Sequence, residues 1–158
     1  FYDIVRAMLD PRTLLLVKIK MGMFFFNSTV DCEMVVPGME NSACMWELIR
    51  SFATVFVLAR DELRTIEKCG WEASNVSRQN IEYMLVCVRI TCAFFGQYYN
   101  PLTFRIDEIA ANASDALKLN MNKINDIIRM LFTKLSDLYE SDSPRLSKTH
   151  KQWVYEEF

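Results

Sequence analysis

The chain has 158 residues, 51% of them hydrophobic and 24% charged, with a formal net charge of −2. One domain of this length buries roughly 70% of the surface its unfolded chain exposes, so neither a disordered chain nor a polyanion fits. Four glycines and four prolines are too few for a turn-dense sandwich or a glycine-rich nucleotide fold, and 18 basic against 20 acidic residues leave no electrostatic footprint for nucleic acid.

The first nine residues place Ile4, Val5, Met8 and Leu9 on one helical face. Asp10-Pro11 follows, and an Asp at N-cap with Pro at the first helical position predicts a new helix start. Residues 12–26 are apolar with Lys18 and Lys20 interposed. The alternation Val17-Lys18-Ile19-Lys20-Met21 suits a strand, but the cap and the length favour a helix. Phe24-Phe25-Phe26 covers three faces of that helix end, so at least one ring must point away from a single core.

Residues 27–42 are irregular and read as a long loop, with a turn signal at Val35-Val36-Pro37-Gly38 and a helix cap at Asn41-Ser42. Long loops of this kind tend to be functional or mobile. The clearest helix follows at 43–69. Met45, Leu48, Ile49, Phe52, Val55, Phe56, Ala59 and Leu63 step by three and four, between the Ser42 cap and the Gly70 stop. After a linker at 71–76, a helix over 78–99 carries Ile81, Met84, Leu85, Val88, Cys92 and Phe95 on its stripe, with Val86, Ile90 and Phe94 extending it to the other faces, so it is expected to be the most buried helix. Within it, Arg89 stands among apolar residues and calls for an acid partner, with Glu47 or Asp107 the expected choice.

Residues 102–139 keep one stripe for more than ten turns, split near Asn112-Ala113-Ser114-Asp115, which has the look of an internal cap. Ser141-Asp142-Ser143-Pro144 ends the domain. The expected organisation is therefore a helical domain at 1–140 and a polar tail at 141–158 with a short C-terminal helix. The expected fold is all-α, either a helical bundle or a short HEAT- or armadillo-like stack of five to six helices. Caps near 42, 77 and 113 recur at about 35 residues, but the sequences around them do not resemble one another.

Catalytic signatures are sparse. The glycine loops of nucleotide sites, the Gly-x-Ser-x-Gly elbow and His-Glu-x-x-His are all missing. A single histidine, His150, lies in the tail, which argues against a His-based metal site or triad. Asp61-Glu62 and Asp107-Glu108 set carboxylates side by side, and adjacent helix residues diverge. No cofactor or metal is expected, and no membrane span, because Arg89 interrupts the least charged stretch and its apolar part is short. Five cysteines with no Cys-x-x-Cys pair suit a reducing compartment, and the chain, starting at Phe1, reads as an intracellular piece of a longer protein. Sequons at Asn27, Asn75 and Asn112 point the other way. Ser143-Pro144-Arg145 has the form of a proline-directed phosphorylation site.

These features lead to a non-catalytic scaffold or adaptor piece that binds another protein, a peptide or a helix, through a helical surface or groove. A second copy of the chain is a further candidate partner. The candidate anchors are Phe25, Phe26, Met39 and Trp46 around the long loop, and Trp153 and Phe158 in the tail, because interfaces draw their energy from a few aromatic anchors. The alternatives are a groove-bearing regulator of the Bcl-2-like kind, whose hallmark Asn-Trp-Gly-Arg stretch is absent, and a secreted cytokine-like bundle, which only the sequons support.

Overall fold

A computed structural model describes residues 1–32, 35–69, 75–100 and 121–140. They hold five α-helices and no strand: α1 (Tyr2–Leu9), α2 (Leu15–Phe25), α3 (Ala43–Cys69), α4 (Asn75–Ala93) and α5 (Met121–Glu140). The all-α expectation is met, and the arrangement is compatible with a bundle or a stack. The tail, with Trp153, Phe158, His150 and the Ser143 motif, lies outside the described residues, as do Asp107, Glu108 and the split near residue 113.

Side-chain contacts fix the helix directions. Glu62 of α3 meets Ser77 and Asn80 at the start of α4, while Trp46 meets Phe94 at its end, so α3 and α4 are antiparallel. Glu47 pairs with Lys123 and Arg60 with Asp137, so α5 runs parallel to α3. Gly22 faces Val86 and Ile90, and Thr29 meets Tyr98, so α2 runs parallel to α4. The spatial order is α5, α3, α4, α2, with α1 against α2 and α3.

The start of α2 differs from expectation. Asp10 closes α1, its backbone N–H donating to the Arg6 carbonyl. Its carboxylate accepts the Arg12 backbone N–H at 2.8 Å and the Arg12 guanidinium at 3.1 and 2.8 Å. The charged Arg12 competes for the oxygens that would have capped a helix, and α2 begins at Leu15 with no side-chain cap. The period-two stretch at 17–21 is helical. By contrast, α3 starts as expected: Ser42 Oγ accepts the Met45 N–H at 3.4 Å, and its carbonyl accepts the Trp46 N–H at 3.2 Å.

The region read as a long loop is largely ordered packing. α2 continues into a π turn at Phe26–Val30, closed by the Asp31 N–H on the Phe26 carbonyl at 2.7 Å. Gly38, at φ +76°, supplies the left-handed residue the next turn needs. From there Asn41 N–H bonds the Gly38 carbonyl and Ser42 N–H the Met39 carbonyl, each at 3.1 Å. α4 also ends in a π turn, Phe94–Tyr98. Its Tyr98 hydroxyl donates to the Thr29 carbonyl at 2.7 Å and accepts the Val36 N–H at 3.4 Å, tying the two ends together.

The core centres on α3 and α4. Phe52, Phe56, Ile49 and Leu48 of α3 have no exposure, and α5 adds Ile124, Leu131 and Leu135. The burial of α4 agrees with expectation in part: Met84, Val88, Val86, Ile90 and Phe94 are buried, and so are Tyr83 and Cys87, while Leu85 and Phe95 are half-buried and Cys92 is exposed. α4 packs on α2 as well as α3, so a single three-four stripe does not describe it. At the crossing with α2, a Cβ on Gly22 would lie 2.6 Å from Val86 Cγ1, so only glycine lets these two helices come this close.

Candidate functional site

The six expected anchors separate into three groups. Phe25, Met39 and Trp46 are fully buried and belong to the core, which corrects their assignment as surface anchors. Trp46 turns inward because its indole N–H finds the Glu40 carbonyl at 2.7 Å, while Phe94, Phe95 and Tyr99 meet its ring edge-on at 5.3, 6.2 and 5.4 Å. Met39 fills the space under the loop, and Phe25 shares the inner face of α2 with Ile19 and Gly22, stacking on Phe1 at 6.3 Å. Phe26 is half-buried. Trp153 and Phe158 lie outside the described residues.

The aromatic triplet does send one ring outward, and it is Phe24, at 62% exposure. It is not alone. α2, LLVKIKMGMFF, is apolar apart from Lys18 and Lys20, and only one side of it is buried. At 3.6 residues per turn, Leu16, Val17, Lys20 and Phe24 fall on one arc, and all four are exposed. Half-buried Met21 and Met23 flank them, and Leu14, at 73%, extends the patch at the N-terminal end. The sequence shows an outward ring in the Phe triplet but does not show which side of the apolar run at 12–26 faces the core, because its apolar residues spread around the helix with only Lys18 and Lys20 between them.

Beside this face is a cleft of about 200 Å³, lined by Thr13, Leu15 and Lys18 at the α2 end, Val55 and Leu58 of α3, and Asn80 and Tyr83 of α4. It exists because α2 and α3 both pack on α4 while scarcely touching each other. Burial pushes the Tyr83 phenol well up, with neighbouring Cys87 adding to the rise, and burial also raises the Cys87 thiol. Burial lowers Lys18 from the ordinary lysine range. The volume suits a single side chain or small molecule, not a helix about 10 Å across.

The remaining chemistry-bearing residues are spoken for or scattered. Arg89 is half-buried, and Glu47, one of its two expected partners, pairs with Arg50 at 2.7 Å and Lys123 at 3.7 Å. Asp61 faces Arg60 and Arg64, whereas Glu62 accepts Ser77 Oγ at 2.7 Å and Asn80 Nδ2 at 3.0 Å, so the two carboxylates diverge. Cys44 and Cys87 are in no disulfide. Among the described residues no group of three metal-ligating side chains converges, and no helix is long and apolar enough to cross a membrane. Compared with protein-family models, curated proteins and solved structures, the chain has no significant match.

Proposed function

We propose that the chain is a non-catalytic protein-interaction module, a scaffold or adaptor piece of a larger intracellular protein, and that it docks its partner on the outer face of α2. The observation that carries this reading is the exposed arc of Leu16, Val17 and Phe24, a helix face on which Lys20 is the one charged residue. Contiguous exposed apolar surface on a folded domain marks interaction sites. Phe24 supplies the aromatic anchor, and Lys20 lays its aliphatic stem across the patch while keeping its charge in water. Phe26 borders the same helix end. The matching partner surface is an apolar helix or peptide; a second copy of this chain satisfies the same chemistry.

The test is to change Leu16, Val17 and Phe24 together to Ser and compare partner capture, self-association at high concentration and thermal melting with wild type. The reading expects capture or self-association to fall by ~30-fold or more, as loss of ~2 kcal/mol or more at an anchor implies, with an unchanged melting temperature. Retained binding by the triple variant refutes it.

A further inference from the structure

We propose that the cleft between α2, α3 and α4 binds a short aliphatic carboxylate, its head group on Lys18 Nζ and Thr13 Oγ1 and its chain against Leu15, Val55 and Leu58. This goes beyond the docking face and does not depend on it: Leu16, Val17 and Phe24 are not among the residues that line the cleft.

Charge complementarity selects the ligand. Lys18 is the one charged side chain in the lining. Among the described residues it forms no ion pair within 4.0 Å, and its ammonium offers three donors. The Asp10 carboxylate acts on Lys18 at longer range, but it and Glu62 are both held by other partners. Asp10 holds Arg12 through three hydrogen bonds, and Glu62, behind Asn80, accepts from Ser77 and Asn80. Asn80 Nδ2 already donates one hydrogen to Glu62 Oε1, which leaves the Lys18 ammonium as the strongest donor in the lining. What remains is a mainly apolar cleft whose one charged group is the Lys18 ammonium, with the Thr13 hydroxyl, the Asn80 amide and the Tyr83 phenol also in its lining. A cation would be repelled, a dianion would leave a second charge against Val55 and Leu58, and a neutral alcohol would forgo the charge-assisted bond. The size limits the chain: at roughly 30 Å³ for each water-sized group, the cleft accommodates about six or seven such groups.

Hexanoate is the probe, titrated into the intact protein and followed by amide NMR shifts, with hexanol and hexylamine as neutral and cationic controls. The expected result is saturable millimolar binding, as suits so small a ligand, with shifts at Thr13, Leu15, Lys18, Val55, Leu58 and Tyr83. Hexanol and hexylamine should bind ~10-fold more weakly or worse, and Lys18→Met should lose hexanoate to the same extent. Lys18→Gln serves as a second variant with a polar head, and the comparison of probes on wild type needs no variant at all. Leu58→Gln, at an exposed position, should also weaken hexanoate. Equal binding of hexanoate and hexanol would overturn the proposal, as would unchanged affinity in a folded Lys18 variant. So would shifts that map to Leu16, Val17 and Phe24, no saturable shift, or a peptide ending in free leucine that binds in preference to the free acid.

Discussion

α2 and α5 both stand at an edge of the helix array, α2 on α4 and α5 on α3, yet they meet water differently. α5 follows the amphipathic rule. Ile124, Ile127, Leu131, Leu135 and Leu138 face the core, while Asn122, Asn125, Asp126, Arg129 and Thr133 face out. Its two exposed apolar residues, Met130 and Phe132, are partial exceptions, and Phe132 still meets the Phe95 ring at 5.3 Å. α2 breaks the rule: its outward arc repeats the apolar character of its inward one, apart from Lys20. Two edge helices thus differ in their outer faces: that of α5 is mostly polar, and that of α2 is apolar apart from Lys20.

The comparison rests first on the inner faces being equally structural. Phe25→Ala in α2 and Leu131→Ala in α5 should each destabilise by ~2–5 kcal/mol in denaturant melts, as buried large-to-small changes do. A loss under about 1 kcal/mol at Phe25 would mean that α2 is not docked as described. Leu85→Ala, at a half-buried site, should cost clearly less than Phe52→Ala or Phe56→Ala, whose rings have no exposure.

A sharper test of the inner face of α2 is Gly22→Ala. The added methyl meets Val86 Cγ1 at 2.6 Å and Met8 Cε at 3.2 Å. Helix propensity alone would reward the change by about 1 kcal/mol, so a net loss of ~1–3 kcal/mol, the range for overpacking, would show that close approach outweighs propensity. Equilibrium unfolding of this one variant decides the sign.

The smallest expected effects are on the outer faces, and there the two helices should part. Phe24→Ser in α2 and Arg129→Ser in α5 should each shift stability by no more than ~0.5 kcal/mol, since neither removes a buried contact. Solubility should rise for the first and stay level for the second, because only Phe24 exposes apolar area. A melting temperature that drops with Phe24→Ser would place that ring in the core and dissolve the contrast.

Local signals carried much of this in the sequence. The Ser42 cap and the three-four steps after it located α3, because cap and stripe depend only on neighbours a few residues away. What the sequence left open depends on partners far along the chain. Trp46 looked like a rim residue until its indole met the Glu40 carbonyl and the rings of α4. Met39 looked like loop until Tyr98 and the 38–42 turns closed over it. Asp10 looked like a cap until Arg12 took its carboxylate. Phe25 and Phe24 are adjacent and chemically identical, and only the position of α4 and α1 decides which is core and which is surface.

The pairing of α2 with α4 and of α3 with α5 bears on how the chain reaches this state. Tyr98 bonds Thr29, 69 positions away along the chain, and Val36, 62 positions away. In a simple up-and-down bundle each helix rests on the next along the chain, and closing such short loops is fast. Here the edge helices rest on elements one removed in order, so distant segments must meet before much apolar area is rewarded. Refolding should therefore be slower than for a helical meander of equal stability, and stopped-flow traces should show α3 and α4 gaining helix before Trp46 acquires its buried fluorescence. Until α4 arrives, both sides of α2 are open to solvent, and that interval, more than the finished fold, is when so apolar a helix invites aggregation.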